Sequence, residues 1–156
     1  MKYFTAIIPA AILSILIISG CAGLVPYKNK LFPPEIYFDG TFKGPITYTK
    51  GPEAWGKTMK ITLYQQDKQG KGTWALHGEA TAMYDNNPWQ FFKITGQVDR
   101  EVQTRALLSF LDIDRDMIFN AVANWDTAKG ELEIIFNVKL PPFYPSQAVK
   151  ATLRKI

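Results

Sequence analysis

TWALHGEATAMYDNNPWQFFKITGQV, residues 73–98, is the stretch that decides the fold. Trp74, Leu76, Gly78, Ala80, Ala82 and Tyr84 share one parity; Thr73, His77, Glu79 and Thr81 share the other. Side chains alternate across a strand, so a period of two predicts a half-buried strand with one apolar and one polar face. Asp85-Asn86-Asn87-Pro88 is turn material, because Asn and Asp tolerate left-handed backbone and bond their own main chain. Beyond the turn, Phe92, Ile94, Gly96 and Val98 form a second inward set. Two alternating runs around a tight turn read as an antiparallel hairpin.

The same grammar extends in both directions. Upstream, Ile36, Phe38, Phe42, Ile46 and Tyr48 share a parity, with Gly40 and Gly44 between them as bends or points of close backbone approach. Met59, Ile61 and Leu63 alternate with Lys60, Thr62 and Tyr64, and QQDKQGKG turns the chain. Downstream, AKG at 128–130 predicts a hairpin turn into Leu132, Ile134, Phe136 and Val138, opposed by Glu131, Glu133 and Lys139. After the LPPFYP loop, Val149, Ala151 and Leu153 alternate with Lys150, Thr152 and Arg154. The expected fold is all-β: an antiparallel up-and-down meander of about eight strands, closed as a barrel or sandwich.

One region reads two ways. Val102, Ala106, Phe110, Ile113, Met117, Ala121 and Trp125 recur at steps of three and four, so a helix is possible within 102–125. The alternative is two strands, 103–111 and 117–126, turning at DIDRD with Phe119, Ala121, Ala123 and Trp125 inward. Asp112, Asp114, Asp116 and Asp126, with Asn120 and Asn124, are poor helix formers and favour the strands.

The first residues follow a different logic. Lys2 precedes an apolar run from Phe4 to Ile18, too short for a comfortable membrane span and interrupted by Pro9. Ser19 and Gly20 then lead to Cys21, the single cysteine. Ile18-Ser19-Gly20-Cys21 resembles the lipobox of bacterial lipoproteins. That resemblance implies a signal peptide at 1–20, cleavage before Cys21, and a diacylglyceryl thioether with a further acyl chain on Cys21. Two or three chains on one residue hold a protein stably at a bilayer, where one chain does not. Ala22, in place of the aspartate that favours inner-membrane retention in enteric bacteria, implies the periplasmic side of the outer membrane. Residues 21–34 carry three prolines and no sustained periodicity, and read as a lipidated tether to a domain at 35–156.

Within that domain, GTF at 40–42, Trp55, GTW at 72–74, ITG at 94–96, GEL at 130–132 and TLR at 152–154 resemble small lipocalin-like (calycin) barrels of bacterial lipoproteins. The likeness is architectural and transfers no functional residue. With a single cysteine no intramolecular disulfide forms, so a packed core must carry stability; 47% hydrophobic and 13% aromatic residues supply it. The net charge of +4 is spread along the chain, not gathered into the dense basic face that nucleic acid requires, so no nucleic-acid partner is expected.

No catalytic constellation stands out. Asp112-x-Asp114-x-Asp116 begins like a calcium loop, but Met117 and Ala123 stand where an EF-hand needs glycine and glutamate. A solvated turn is the plainer reading. His77 and Glu79 share a strand face, which their parity makes the outer one. There is no nucleophile elbow or phosphate-binding glycine loop, and neither a metal nor a cofactor is expected. The aromatics offer one lead: Trp74, Tyr84, Phe92 and Trp125 could line an apolar ligand pocket in the barrel, or could fill its core. Phe143 and Tyr144, among the prolines of 140–145, could dock a partner. The expectation is a non-enzymatic, membrane-anchored envelope lipoprotein acting through protein contact, the alternative being a carrier of a small hydrophobic ligand.

Overall fold

The structure is a computed structural model and describes residues 33–49, 55–138 and 147–156. Residues 1–20, Cys21 and the 140–145 loop lie outside the described residues. Eight strands run in order: β1 (Gly40–Tyr48), β2 (Thr58–Gln66), β3 (Gly72–Tyr84), β4 (Asn87–Val98), β5 (Arg105–Asp112), β6 (Met117–Asp126), β7 (Glu131–Val138) and β8 (Gln147–Lys155). Each pairs antiparallel with the next, and β1 pairs with β8, so the sheet closes on itself. The chain is an all-β, up-and-down barrel. Region 102–125 is strand, with β5 and β6 facing one another from Arg105↔Asn124 to Asp112↔Met117. No helix occurs among the described residues.

Eight strands enclose an interior that side chains can fill. The inward positions do so with Phe42, Ile61, Leu63, Ile94, Phe110, Leu132, Ile134 and Phe136, each almost wholly inaccessible to water. Burying such a side chain contributes roughly 1.5–3 kcal/mol, and the sum offsets the ordering of a chain without a disulfide. Curvature requires close approach between neighbours. A methyl group on Gly44 would lie 2.0 Å from the Thr152 carbonyl oxygen, and one on Gly78 would lie 2.1 Å from that of Thr62. Both positions therefore demand glycine.

The turns share a device. An aspartate near the end of a strand turns its Oδ1 onto the backbone N–H groups that follow. Asp67 accepts from Gln69 and Lys71, Asp99 from Glu101 and Val102, Asp112 from Asp114 and Arg115, and Asp126 from Ala128 and Lys129. These bonds compete with helix and favour turns. At the β3–β4 hairpin, Asp85 and Asn86 both hold positive φ, 47° and 68°, as a two-residue turn that follows the strand twist requires.

Two readings need correction. Ile36 is exposed and belongs to no strand, because β1 begins only at Gly40. Asp112 is not part of a solvated turn; its side chain is fully buried. Tyr84, at the end of β3, is half-buried, beside a register shift in which Trp89 is an extra residue of β4 opposite Ala82 and Met83.

Candidate functional site

The barrel has two ends, each closed differently. At one end the chain arrives through residues 33–39, and here Gln65, fully buried, organises the closure. Its Oε1 accepts N–H bonds from Tyr37 (2.9 Å) and Phe38 (2.8 Å), and its Nε2 donates to the Glu35 carbonyl at 2.7 Å. Its own N–H donates to Asp39 Oδ1 at 2.9 Å. These bonds hold Phe38 as an apolar plug beneath a polar seam.

The other end is closed by Trp55. Its N–H donates to the Tyr48 hydroxyl at 3.1 Å, and that hydroxyl donates to the Gly56 carbonyl at 2.7 Å. So held, the indole lies 3% exposed inside the barrel, edge-on to Phe136 (4.8 Å), Phe119 (4.9 Å) and Phe92 (5.6 Å). Each aromatic pair adds about 0.5–1.5 kcal/mol beyond its buried area. Beside this cluster, Gln90 and Asp112 form a buried polar pair, with Gln90 Nε2 donating to Asp112 Oδ2. Among the described residues Gln90 Oε1 has no hydrogen-bond partner.

The four aromatics singled out in the sequence do not converge. Phe92 is in the interior, against Trp55 and Phe110. Trp125 sits near the Gln65 end, edge-on to Phe42 at 6.0 Å. Trp74 lies at the start of β3, with the Arg100 guanidinium 6.0 Å above its ring. Tyr84 is at the opposite end, edge-on to Trp89 at 5.7 Å. Trp55, which the sequence offered only as one of the barrel-like cues, lies instead against Phe92, Phe119 and Phe136. His77 is on the outer face as its parity implied, stacked on Tyr64 at 5.2 Å, and Glu79 stands opposite Lys93 in the strand register. Among the described residues no three His, Cys, Asp or Glu side chains gather where a metal could be held.

The outer wall is divided. On β8, β1, β2 and β3 the outward positions hold Lys150, Thr152, Arg154, Lys43, Lys60, Thr62 and Glu79, an ordinary solvated surface. Lys150 pairs with Glu133, and Arg154 with Glu131 at 2.7 Å. On β5 and β6 charge gives way to hydrocarbon, while Lys93 of β4 stands opposite Leu111 and β7 keeps Glu131 and Glu133. Leu107 is opposite Val122 and Val122 opposite Ile135, while Leu111 is opposite Ile118. Phe91 and Ile113 continue the patch toward the Trp55 end, joined by the Ile113 N–H to the Phe91 carbonyl. Leu107 and Ile118 are 62% and 66% exposed, the most open large apolar side chains on the strands. A groove of about 720 Å³ lies here, lined by Leu107, Ser109, Ile118, Asn120, Val122 and Ile135.

Apolar patches rimmed by polar residues are where proteins meet partners, membranes or ligands. A lipid-spanning barrel would be apolar around its whole girth and polar within. Here the interior is apolar and half the outer wall is charged. No family model matches the chain, and neither a curated protein nor a solved structure matches it significantly.

Proposed function

We propose that this chain is a membrane-anchored lipoprotein of the cell envelope with a lipocalin-like barrel, and that it acts by protein contact through the outer face of β4–β7. The observation that carries the contact reading is the outward row Leu107, Val122 and Ile135 with the pair Leu111 and Ile118 beside it, of which Leu107 and Ile118 are exposed and the other three half-buried. Exposing these side chains gains nothing for folding, since the core is complete without them. Ile18-Ser19-Gly20-Cys21 supports the anchor, and Ala22 supports the periplasmic side of the outer membrane. In this reading Cys21 carries the lipid, residues 22–34 are the tether, and the barrel presents its apolar wall to a protein.

The carrier reading is the weaker one, because the space a hydrophobic ligand would need is occupied by Trp55, Phe92, Phe110, Phe119 and Phe136 in edge-to-face contact. Native mass spectrometry of the protein extracted from its own membranes separates the two. Protein-sized adducts lost on Ile118→Asp support contact, whereas a small hydrophobic adduct retained by Ile118→Asp supports the carrier. The anchor has its own test. Cys21→Ser should abolish incorporation of labelled acyl chains and release the protein from the membrane pellet; unchanged pelleting and labelling would refute lipidation at that sulfur.

A further inference from the structure

We propose that the partner for the β4–β7 face is a second copy of the same chain, packed about a two-fold axis that passes close to Ser109 and Asn120. The proposal rests on the contact reading above and names its occupant. The first ground is the pattern of the face. Outward along β5 the order is Leu107, Ser109, Leu111; outward along β6, read in the opposite direction, it is Val122, Asn120, Ile118. Because the strands are antiparallel, the register sets apolar against apolar, Ser109 against Asn120, then apolar against apolar again. Ser109 Oγ donates to Asn120 Oδ1 at 2.9 Å, fixing the polar pair at the centre. The face thus reads the same from either end. An isologous interface needs a surface that complements itself, and a copy turned about an axis that lies in the contact plane and passes through that centre sets each apolar pair over the other.

The second ground is charge. The chain carries a net +4, so two copies repel wherever their basic surfaces meet. Lys43 stands opposite both Lys60 and Arg154, so the β8–β1–β2 wall places cations side by side and opposes self-contact. The outward positions of β5 from 107 to 111 and of β6 from 118 to 122 hold no charge at all. A partner chosen by charge would be recruited to the basic wall; the neutral β5–β6 strip, with the single cation Lys93 at its edge opposite Leu111, suits a copy of itself.

Size sets the strength. Four strands at about 4.8 Å spacing and some six residues of strand length give on the order of 400 Å² per copy, about half a standard interface. Pairing is therefore weak in free solution and is favoured where a shared membrane plane raises the effective concentration.

The test uses the full chain in a host that processes lipoproteins. Residues beside a two-fold axis face their own copies, so Asn120→Cys should yield a disulfide-linked dimer in intact membranes, while Thr62→Cys on the opposite wall should not. Adding Leu107→Asp to Asn120→Cys should cut that yield by about tenfold or more, because a carboxylate would be buried without a partner. No 120–120 product, an equal product from Thr62→Cys, a yield indifferent to Leu107→Asp, or an adduct with the mass of a different protein would each overturn self-pairing. Acyl labelling of the same samples judges the anchor separately: a labelled chain without the 120–120 bond sinks the dimer alone, and an unlabelled chain that cross-links sinks the anchor alone.

Discussion

The two halves of the barrel wall have the same inside and different outsides. Inward, β1 and β2 bury Phe42, Ile61 and Leu63, while β5 and β6 bury Leu108, Phe110, Ala121 and Ala123. Outward, the first half carries Lys43, Lys60 and Thr62, whereas the second carries Leu107, Leu111, Ile118 and Val122. Folding asks only that one face of each strand be apolar. The additional apolar face is therefore not a requirement of the core, and the comparison isolates what was added to a sufficient fold.

The largest effects should be equal in the two halves. Phe42→Ala and Phe110→Ala each remove a fully buried ring and should each cost about 3–5 kcal/mol in urea denaturation. A cost below about 1 kcal/mol for only one of them would show that the halves differ inside as well. A smaller loss is expected at the buried polar pair. Asp112→Ala strips Gln90 Nε2 of its acceptor and the 113–116 turn of its cap, and should destabilise by roughly 1–3 kcal/mol in the same assay. If stability is unchanged, water reaches that end of the barrel freely.

The contrast sharpens at the outer positions, where stability should barely move. Ile118→Lys and Thr62→Val swap the characters of the two walls and should each stay within about 0.5 kcal/mol of the parent. Binding of a hydrophobic dye should fall for the former and rise for the latter. A loss of stability with Ile118→Lys comparable to that of Phe110→Ala would mean that the residue serves the core.

The smallest effect is a pH dependence at the margin of the apolar half. The Arg105 guanidinium, aided by the backbone N–H groups of Glu101 and Val102, lowers the Asp99 carboxyl from 3.8 to about 2. A folded-state value below the unfolded one gives stability that is present in full above pH about 4 and lost as the pH falls toward 2. Asp99→Asn should therefore melt lower than the parent at neutral pH, with the gap closing at low pH. A gap that widens on acidification would contradict the assigned pairing.

The division of the wall also explains what could be read from the sequence. Strands β2 to β4, between Met59 and Val98, were legible because their two faces differ, as in Lys60-Ile61-Thr62-Leu63. The stretch Ala106-Leu107-Leu108-Ser109-Phe110-Leu111 was ambiguous because both of its faces are apolar. When the period of two is erased, a spacing of three and four can be picked out of the same letters. The residues that blurred the strand reading are thus the residues of the candidate contact face. Gln65 and Asp112 were illegible for another reason. Polar residues are mostly exposed, and only the bonds that the fold supplies make their burial tolerable. Trp55 was read only as a barrel-like cue, and nothing local places it against Phe119 and Phe136, which follow it by more than sixty residues. The register shift that makes Trp89 an extra residue of β4 opposite Ala82 and Met83 likewise left no mark in the sequence.

The closure made by Gln65 has a mechanical consequence. A load applied at Pro33 and directed away from the barrel meets Glu35, Tyr37, Phe38 and Asp39 before it meets β1, and all four are joined to one glutamine. Those bonds are strained one after another, as in a zip, while β1 is held on both flanks by β2 and β8. A modest tug spends itself in freeing a few residues between Pro33 and Asp39, and the sheet behind them stays shut.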